Sequence, residues 1–451
     1  MTGLDETQAA RRVARACFGS PLAQQERGYF VCLELLSVLR GHYLAGESLL
    51  APGDQMKGFI RVSHDFARRL LTNALNPGDG GYDSVDLEAH EPLESLLRSL
   101  SLTIPGQRRS PEWFGCYLYP YVGELVHYDT VRRRERPALE RYAFRGAGIL
   151  AHEILRTDPD EERLERTRRG LGNLVENSGT ALGILAGALH SHDHVGDTDP
   201  WLGDVEQAIA GAALPGTKWT DLLRRGVANI VDRDDSPSAQ RVEHLMHWVP
   251  YCIARHALEI AQQEVDQSCA PIVVDLRPSS NPIRDLSRRD LDRSRWAVVN
   301  ALVERAEFIR DAAETDNSDR EAFEALLRSR DRLVKGPRAF VTETLAAVGA
   351  LNSTSGRRWF TIHLPLMETL VHALVPAGAE LELERFMLEE LNNQLDLVVD
   401  GKSAAAHGLV EQVDLAEFDQ NAEYAASALR SLGLLTEYSD TTRMVGTGAD
   451  R

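Results

Sequence analysis

Apolar residues recur at three- and four-residue intervals through most of the chain, the period of a helix with one buried face. In "QERGYFVCLELLSVLRGHYL", Phe30, Leu33, Leu36, Leu39 and Tyr43 fall on one stripe. "FIRVSHDFARRLLTNAL" repeats the pattern with Phe59, Val62, Phe66, Leu70 and Leu71, so helices are predicted through about residue 76. "NPGDGGYDS" (76–84) then breaks the period with Pro77, Gly78, Gly80 and Gly81 and reads as a loop. "EWFGCYLYPYVGELVHY" (112–128) is the densest apolar patch and reads as core interrupted at Pro120. The helix in "RYAFRGAGILAHEILR" stops before Asp158, which is expected to cap the next one, with Pro159 in its first turn. Asp160, Glu161 and Glu162 suit the positive end of that helix dipole. Residues 240–265 predict a further apolar helix, kinked at Pro250 where a backbone donor is missing.

Beyond residue 270 the pattern changes. "APIVVDLRPSSNPIRDLSRRD" holds a short β-branched run between prolines and reads as a linker or a single strand, followed by a charged helix over about 290–334. Helices are then expected at "RAFVTETLAAVGAL", at "LMETLVHALV" and at "AELELERFMLEELNNQLDLVV", where Leu381, Phe386, Leu388, Leu391 and Leu395 supply the apolar face. A last long helix closes on Gly433, which suits a left-handed cap. "LLTEY", a Ser-Asp turn and "RMV" follow as a hairpin. Helices ending in a hairpin have the order of a winged-helix domain. A plain helical bundle with a frayed tail is the alternative. The chain is therefore expected to be mainly α, with a helical domain at 1–270 and a linker with the charged helix at 271–334. A winged-helix-like domain at 335–445 and a disordered tail at 446–451 complete it.

At 451 residues the chain is long enough for two or three domains. Hydrophobic content of 43% and charged content of 26% are those of a globular protein with real cores. The absence of a long apolar run argues against a membrane span, and the early acids in "MTGLDETQAARRVARACF" against a signal peptide. Five scattered cysteines without a CxxC fit reduced thiols, so a cytoplasmic setting is expected. A net charge of −18 opposes nucleic acid on average, since binding to phosphates draws on clustered cations. From 333 to 445, sixteen carboxylates face eight cations, and the last helix carries Asp414, Glu417, Asp419 and Glu423 against Arg430. Contact between that helix and phosphate would be repulsive, which points to packing or protein contact.

Local cation clusters could still meet phosphate or an acidic partner. Arg132, Arg133 and Arg134 form the first, and Arg284 to Arg295, with Arg288 and Arg289 at its centre, another. Arg357 and Arg358 are a further pair. Arg163 to Arg169 alternate with Glu162 and Glu165, the pattern of an exposed ion-paired helix. For metal chemistry, His190, His192 and His194 with Asp193 and Asp197 offer imidazole and carboxylate ligands, although residues two apart do not share a helix face. His244, His247, Cys252 and His256 are a second set, whose simpler reading is a core helix with polar edges. "AHEILR" fails the zinc motif HExxH at its fifth position, Leu155. The chain has no phosphate-loop, dinucleotide-binding, GxSxG or kinase signature, and no cofactor is expected.

The segment from "GRRWFTIHLPLMETLVHALVP" through "ELERFMLEELNNQLDLVVD" to "LRSLGLLTEYSDTTRMV" resembles the C-terminal part of uncharacterised proteins from bacterial anti-phage defence islands, of the methylation-associated type. The resemblance implies a setting, other proteins of one operon as partners, and assigns no catalytic residue. Three readings follow. The chain is expected to be a non-catalytic structural or adaptor subunit of a bacterial multi-protein assembly. It could instead be a nucleic-acid-binding regulator using the hairpin and the arginines, or a metal-dependent hydrolase built on His190, His192 and His194.

Overall fold

A computed structural model describes residues 4–24, 28–44, 46, 48–51, 62–63, 130–133, 136–139, 146–176, 194–195, 216–233, 236–266, 270–312, 317–352, 357–438 and 442–447. Thirteen α-helices are found among them. The N-terminal half contains α1 (Glu6–Phe18), α2 (Tyr29–Leu44), α3 (Ala147–Arg156), α4 (Glu161–Glu176), α5 (Lys218–Val231) and α6 (Ser238–Glu264). It also holds the strand pairs β1 (Val62–Ser63) with β4 (His194–Val195), and β2 (Thr130–Arg133) with β3 (Arg136–Leu139), both antiparallel. After β5 (Ile272–Val273) come α7 (Pro282–Ala312), α8 (Asn317–Arg328) and α9 (Arg330–Ala347).

The C-terminal part runs α10 (Leu364–Leu374), β6 (Glu380–Glu382) and α11 (Leu383–Arg385), which continues as a π-helix over Phe386–Gln394. Then follow β7 (Leu397–Val398), α12 (Gly401–Ala406), α13 (Leu415–Ser431), β8 (Leu435–Glu437) and β9 (Arg443–Gly446). The chain is mainly helical, and none of the described helices is long and apolar enough to cross a membrane.

Local chemistry sets several boundaries. Asp5 accepts a hydrogen bond from the amide of Gln8 at 2.8 Å and Gln8 returns one to the amide of Asp5 at 3.0 Å, a reciprocal cap on α1. At α4 the capping acid is Asp160, which accepts from the amide of Arg163 at 3.0 Å, rather than Asp158. Asp158 instead holds the Arg163 guanidinium at 2.7 Å. Gly433 takes φ of 73°, and the amide of Leu434 reaches back to the carbonyl of Leu429 at 2.9 Å, closing α13 as the sequence predicts.

Helix α6 is the hub. It packs against α1, α2, α3, α5, α7, α9 and α10. Its Trp248 is fully buried against α5, where a Cβ on Gly226 would lie 2.2 Å from the indole, so only glycine admits the approach. One continuous apolar core runs from Ala9 to Val445, and a smaller cluster of Val273, Ile283, Leu286, Val398, Ala404, Val413 and Phe418 lies beneath β5 and β7.

The single charged helix expected over about 290–334 is divided among α7, α8 and the start of α9, with Ser329 at the N-terminus of α9, and two further helical expectations are corrected. Val62 and Ser63 form a strand paired to Val195 and His194, where long-range pairing overrides the helical spacing around them. Glu380–Glu382 is also a strand. It pairs with β9, giving a three-stranded antiparallel sheet ordered β6-β9-β8. Leu381, Val445 and Leu435 stand in one row across that sheet, so Leu381 joins the core through a strand rather than a helix face. The π-helix that follows winds more widely than 3.6 residues per turn, which buries Met387 and leaves Leu388 half-exposed. The hairpin from Leu435 to Gly446 is present, with Arg443 opposite Glu437.

Candidate interaction surface

The C-terminal part carries a distinctive outer surface. Asp414 starts α13 by accepting from the amide of Ala416 at 2.9 Å. Phe418, Asn421, Ala425, Ala426 and Leu429 then face inward. The outward face holds Asp419, Gln420, Glu423, Tyr424, Ser427 and Arg430. Tyr424 is 45% exposed between these acids. Five of the eight large hydrophobic side chains exposed among the described residues belong to residues 364–446: Leu364, Val410, Leu415, Tyr424 and Tyr438. The cations nearby are already neutralised. Arg443 of β9 pairs with Glu423 of α13 at 2.8 Å, and Arg430 pairs with Glu437.

The inner side of α13 is pinned by a buried polar network. Asn421, fully buried, donates to the carbonyls of Val274 (2.9 Å) and Val399 (2.8 Å) and accepts from the amide of Leu276 (2.8 Å). It therefore ties α13 to the parallel pair β5–β7. Asp275 is also fully buried and receives Arg284 Nε at 2.7 Å, Asn281 at 3.0 Å and the amide of Arg277 at 3.1 Å. Arg284 stacks on the Trp359 ring at 4.0 Å, and Arg277 reaches Glu417 of α13 at 2.6 Å. Burial raises Asp290 to about 6 although the amide of Val273 donates to it at 2.8 Å.

The predicted contact arginines divide by location. Arg132 and Arg133 lie on β2, while Arg134 lies outside the described residues. Arg288 pairs with Asp285 at 3.1 Å, and Arg289 reaches Gln412 at 3.5 Å. Arg358 pairs with Glu343 at 3.2 Å, whereas Arg357 is exposed with no ion pair among the described residues. In α4, Arg163 bridges Asp158 and Asp221, and Arg169 meets Asp232 at 2.9 Å. These pairs tie α4 to the turn before it and to α5 and its C-terminal end, and the expected pairing within the helix is met by Arg168 with Glu165 at 3.5 Å.

The histidines divide in the same way. His190 and His192 lie outside the described residues, as do Cys116 and the 112–128 segment, and His194 lies on β4. On α6, Nδ1–H of His247 donates to the carbonyl of Glu243 at 2.9 Å, and its Nε2 accepts from the Tyr29 hydroxyl at 3.2 Å. Burial lowers its pKa. His256 pairs through Nδ1 with Thr217 at 2.7 Å, and burial lowers it to about 4. Burial raises the Cys252 thiol well above its ordinary value and leaves it inert. Of that set, His244 alone meets ligand-type partners. Glu368 and His372 of α10 face it, and one donor atom of each residue lies within 4.8 Å of the others. The single local signal for this trio is the four-residue spacing from Glu368 to His372, which puts both on one helix face.

No family model, no curated protein and no solved structure matches the chain.

Proposed function

We propose that the chain is a non-catalytic structural or adaptor subunit of a bacterial multi-protein assembly, and that residues 364–446 are a winged-helix-type unit used for protein contact. The assignment of the unit rests on element order and strand order. α10, β6 and α11 precede α13, and the hairpin β8–β9 closes a sheet ordered β6-β9-β8. Within such a unit α13 occupies the place of the helix that would enter a DNA groove.

The outward face of α13 carries the reading. It sets Tyr424 among Asp419 and Glu423, and the nearby Arg430 and Arg443 are paired to Glu437 and Glu423. An exposed aromatic ringed by acids suits a protein surface with basic groups and an apolar pocket. It repels a phosphate backbone. Resemblance of this segment to proteins of anti-phage defence islands supports partners from the same operon.

The test is recovery of the tagged full chain from its host, with and without nuclease, beside the variant Tyr424→Asp. A set of proteins that survives nuclease and is lost from the variant supports the adaptor. Recovery of nucleic acid, with the partners lost after nuclease, would replace it with the nucleic-acid-binding regulator.

A further inference from the structure

We propose that His244, Glu368 and His372 form a binding site for one divalent transition-metal ion of the zinc class, which cross-links α6 to α10. His244 stands in the second turn of α6, and Glu368 and His372 stand one turn apart on α10, the first helix of the C-terminal unit. The two helices pack directly, so three side chains from two elements converge on one point.

The geometry fits an ion better than it fits a set of hydrogen bonds. His244 Nε2 lies 3.6 Å from Glu368 Oε1, too far for a good hydrogen bond. Metal bonds of about 2.0–2.1 Å in a tetrahedral shell hold neighbouring ligand atoms roughly 3.3 Å apart. The pair therefore needs to close by only a few tenths of an ångström to share an ion. The two imidazole rings sit with centroids 4.1 Å apart and planes tilted by 32°, side by side rather than hydrogen-bonded to each other. Both are buried, His244 to 2% exposure and His372 to 6%, and Nδ1 of each lacks a hydrogen-bond partner. The His244 atom nearest Glu368 is Nε2 rather than the unpartnered Nδ1, and two buried imidazoles beside one carboxylate are a zinc-class donor set.

Outer groups agree with this. Gln240 donates to Glu368 Oε1 at 2.8 Å and accepts from the Ser236 hydroxyl at 3.0 Å, a relay that fixes the carboxylate from outside. Arg233 is the opposing charge. Its guanidinium is held by the carbonyl of Val375 (2.6 Å) and the hydroxyl of Thr447 (2.7 Å), which fixes its position. The Glu368 side chain keeps 29% exposure, so solvent reaches that edge and a water can take the fourth position. An ion there would hold the C-terminal unit to the hub helix, the role of a structural site.

The experiment uses the full chain, stripped with chelator, and adds zinc alone while calorimetry, elemental analysis and thermal melting follow binding. One zinc per chain is expected, with a rise in melting temperature. Glu368→Gln, chosen because its partly exposed position keeps the fold, should weaken binding at least about tenfold and abolish the rise. Circular dichroism checks that this variant is folded. Cobalt substitution should give the visible absorption of a low-coordinate nitrogen–oxygen site in the parent and not in the variant. The triple variant of His190, His192 and His194 to Ala should bind as the parent does. The proposal is overturned if no stoichiometric zinc is retained. It is equally overturned if Glu368→Gln binds as tightly as the parent, or if the triple variant alone loses the ion.

Discussion

Two charged regions of this molecule lie on opposite sides of α13 and behave in opposite ways. On the inner side, Asp275, Arg277, Arg284 and Asn421 are buried and hold β5, α7 and α13 together by hydrogen bonds. On the outer side, Glu423, Arg430, Glu437 and Arg443 are exposed and neutralise one another. Both read in sequence as polar stretches between apolar runs. The difference teaches that a charge written in the chain is not a charge offered to a partner. Arg284 opens the basic cluster 284–295, yet it is turned inward, stacked on Trp359 and closed on a carboxylate.

The inner network should break first. Replacing Asp275 by Ala leaves Arg284 buried without its anion, and a loss of about 3–5 kcal/mol is expected in urea unfolding. A loss below about 1 kcal/mol would mean that solvent reaches the site. Asn421→Ala removes three hydrogen bonds and leaves the carbonyls of Val274 and Val399 and the amide of Leu276 buried, for about 2–3 kcal/mol in the same assay.

Acid should act on the buried histidines. Burial holds His152 at about 3 and His256 at about 4 in the folded chain, whereas both take up protons near pH 6.5 when unfolded. Between those values the unfolded state binds more protons, so stability is full above about pH 6.5 and falls on acidification. At pH 5 each should cost on the order of 2 kcal/mol. Asp290 works against this. Its folded value of about 6 lies above the unfolded one, so its destabilising effect at neutral pH is relieved as pH falls below about 6. His256→Asn should remove its own share, on the order of 2 kcal/mol at pH 5, and an unchanged pH profile would refute the assignment. The smallest effect belongs to the outer side. Arg443→Ala and Arg288→Ala each break an exposed pair and should change stability by less than about 1 kcal/mol.

What the sequence discloses depends on how local the cause is. The hairpin after Gly433, the left-handed cap and the long helix through Pro250 follow from spacing within a few turns, and the structure has them. β6 was missed because "ELEL" alternates in a strand-like way inside a longer run with helical spacing, and pairing with β9, some 60 residues on, decides between the two. The segment at 271–281 reads as a linker because its partners are distant. β5 finds β7, Asp275 finds Phe360 through its amide at 3.0 Å, and Leu276 finds Asn421. The meeting of His244 with Glu368 and His372 joins residues on two helices far apart in the chain, and only the four-residue step within α10 is local.

The central claim is that Arg284, Arg288, Arg358, Arg430 and Arg443 are paired within the fold and that the outer face of α13 is not a phosphate surface. Its most direct test is the affinity of the purified full chain for duplex DNA, followed by fluorescence anisotropy as salt is raised from a low value. No binding is expected even at low salt. Binding that weakens steeply with salt, and that is lost when Arg288, Arg289, Arg357 and Arg358 are changed to Ala, would contradict the account and return the unit to nucleic acid.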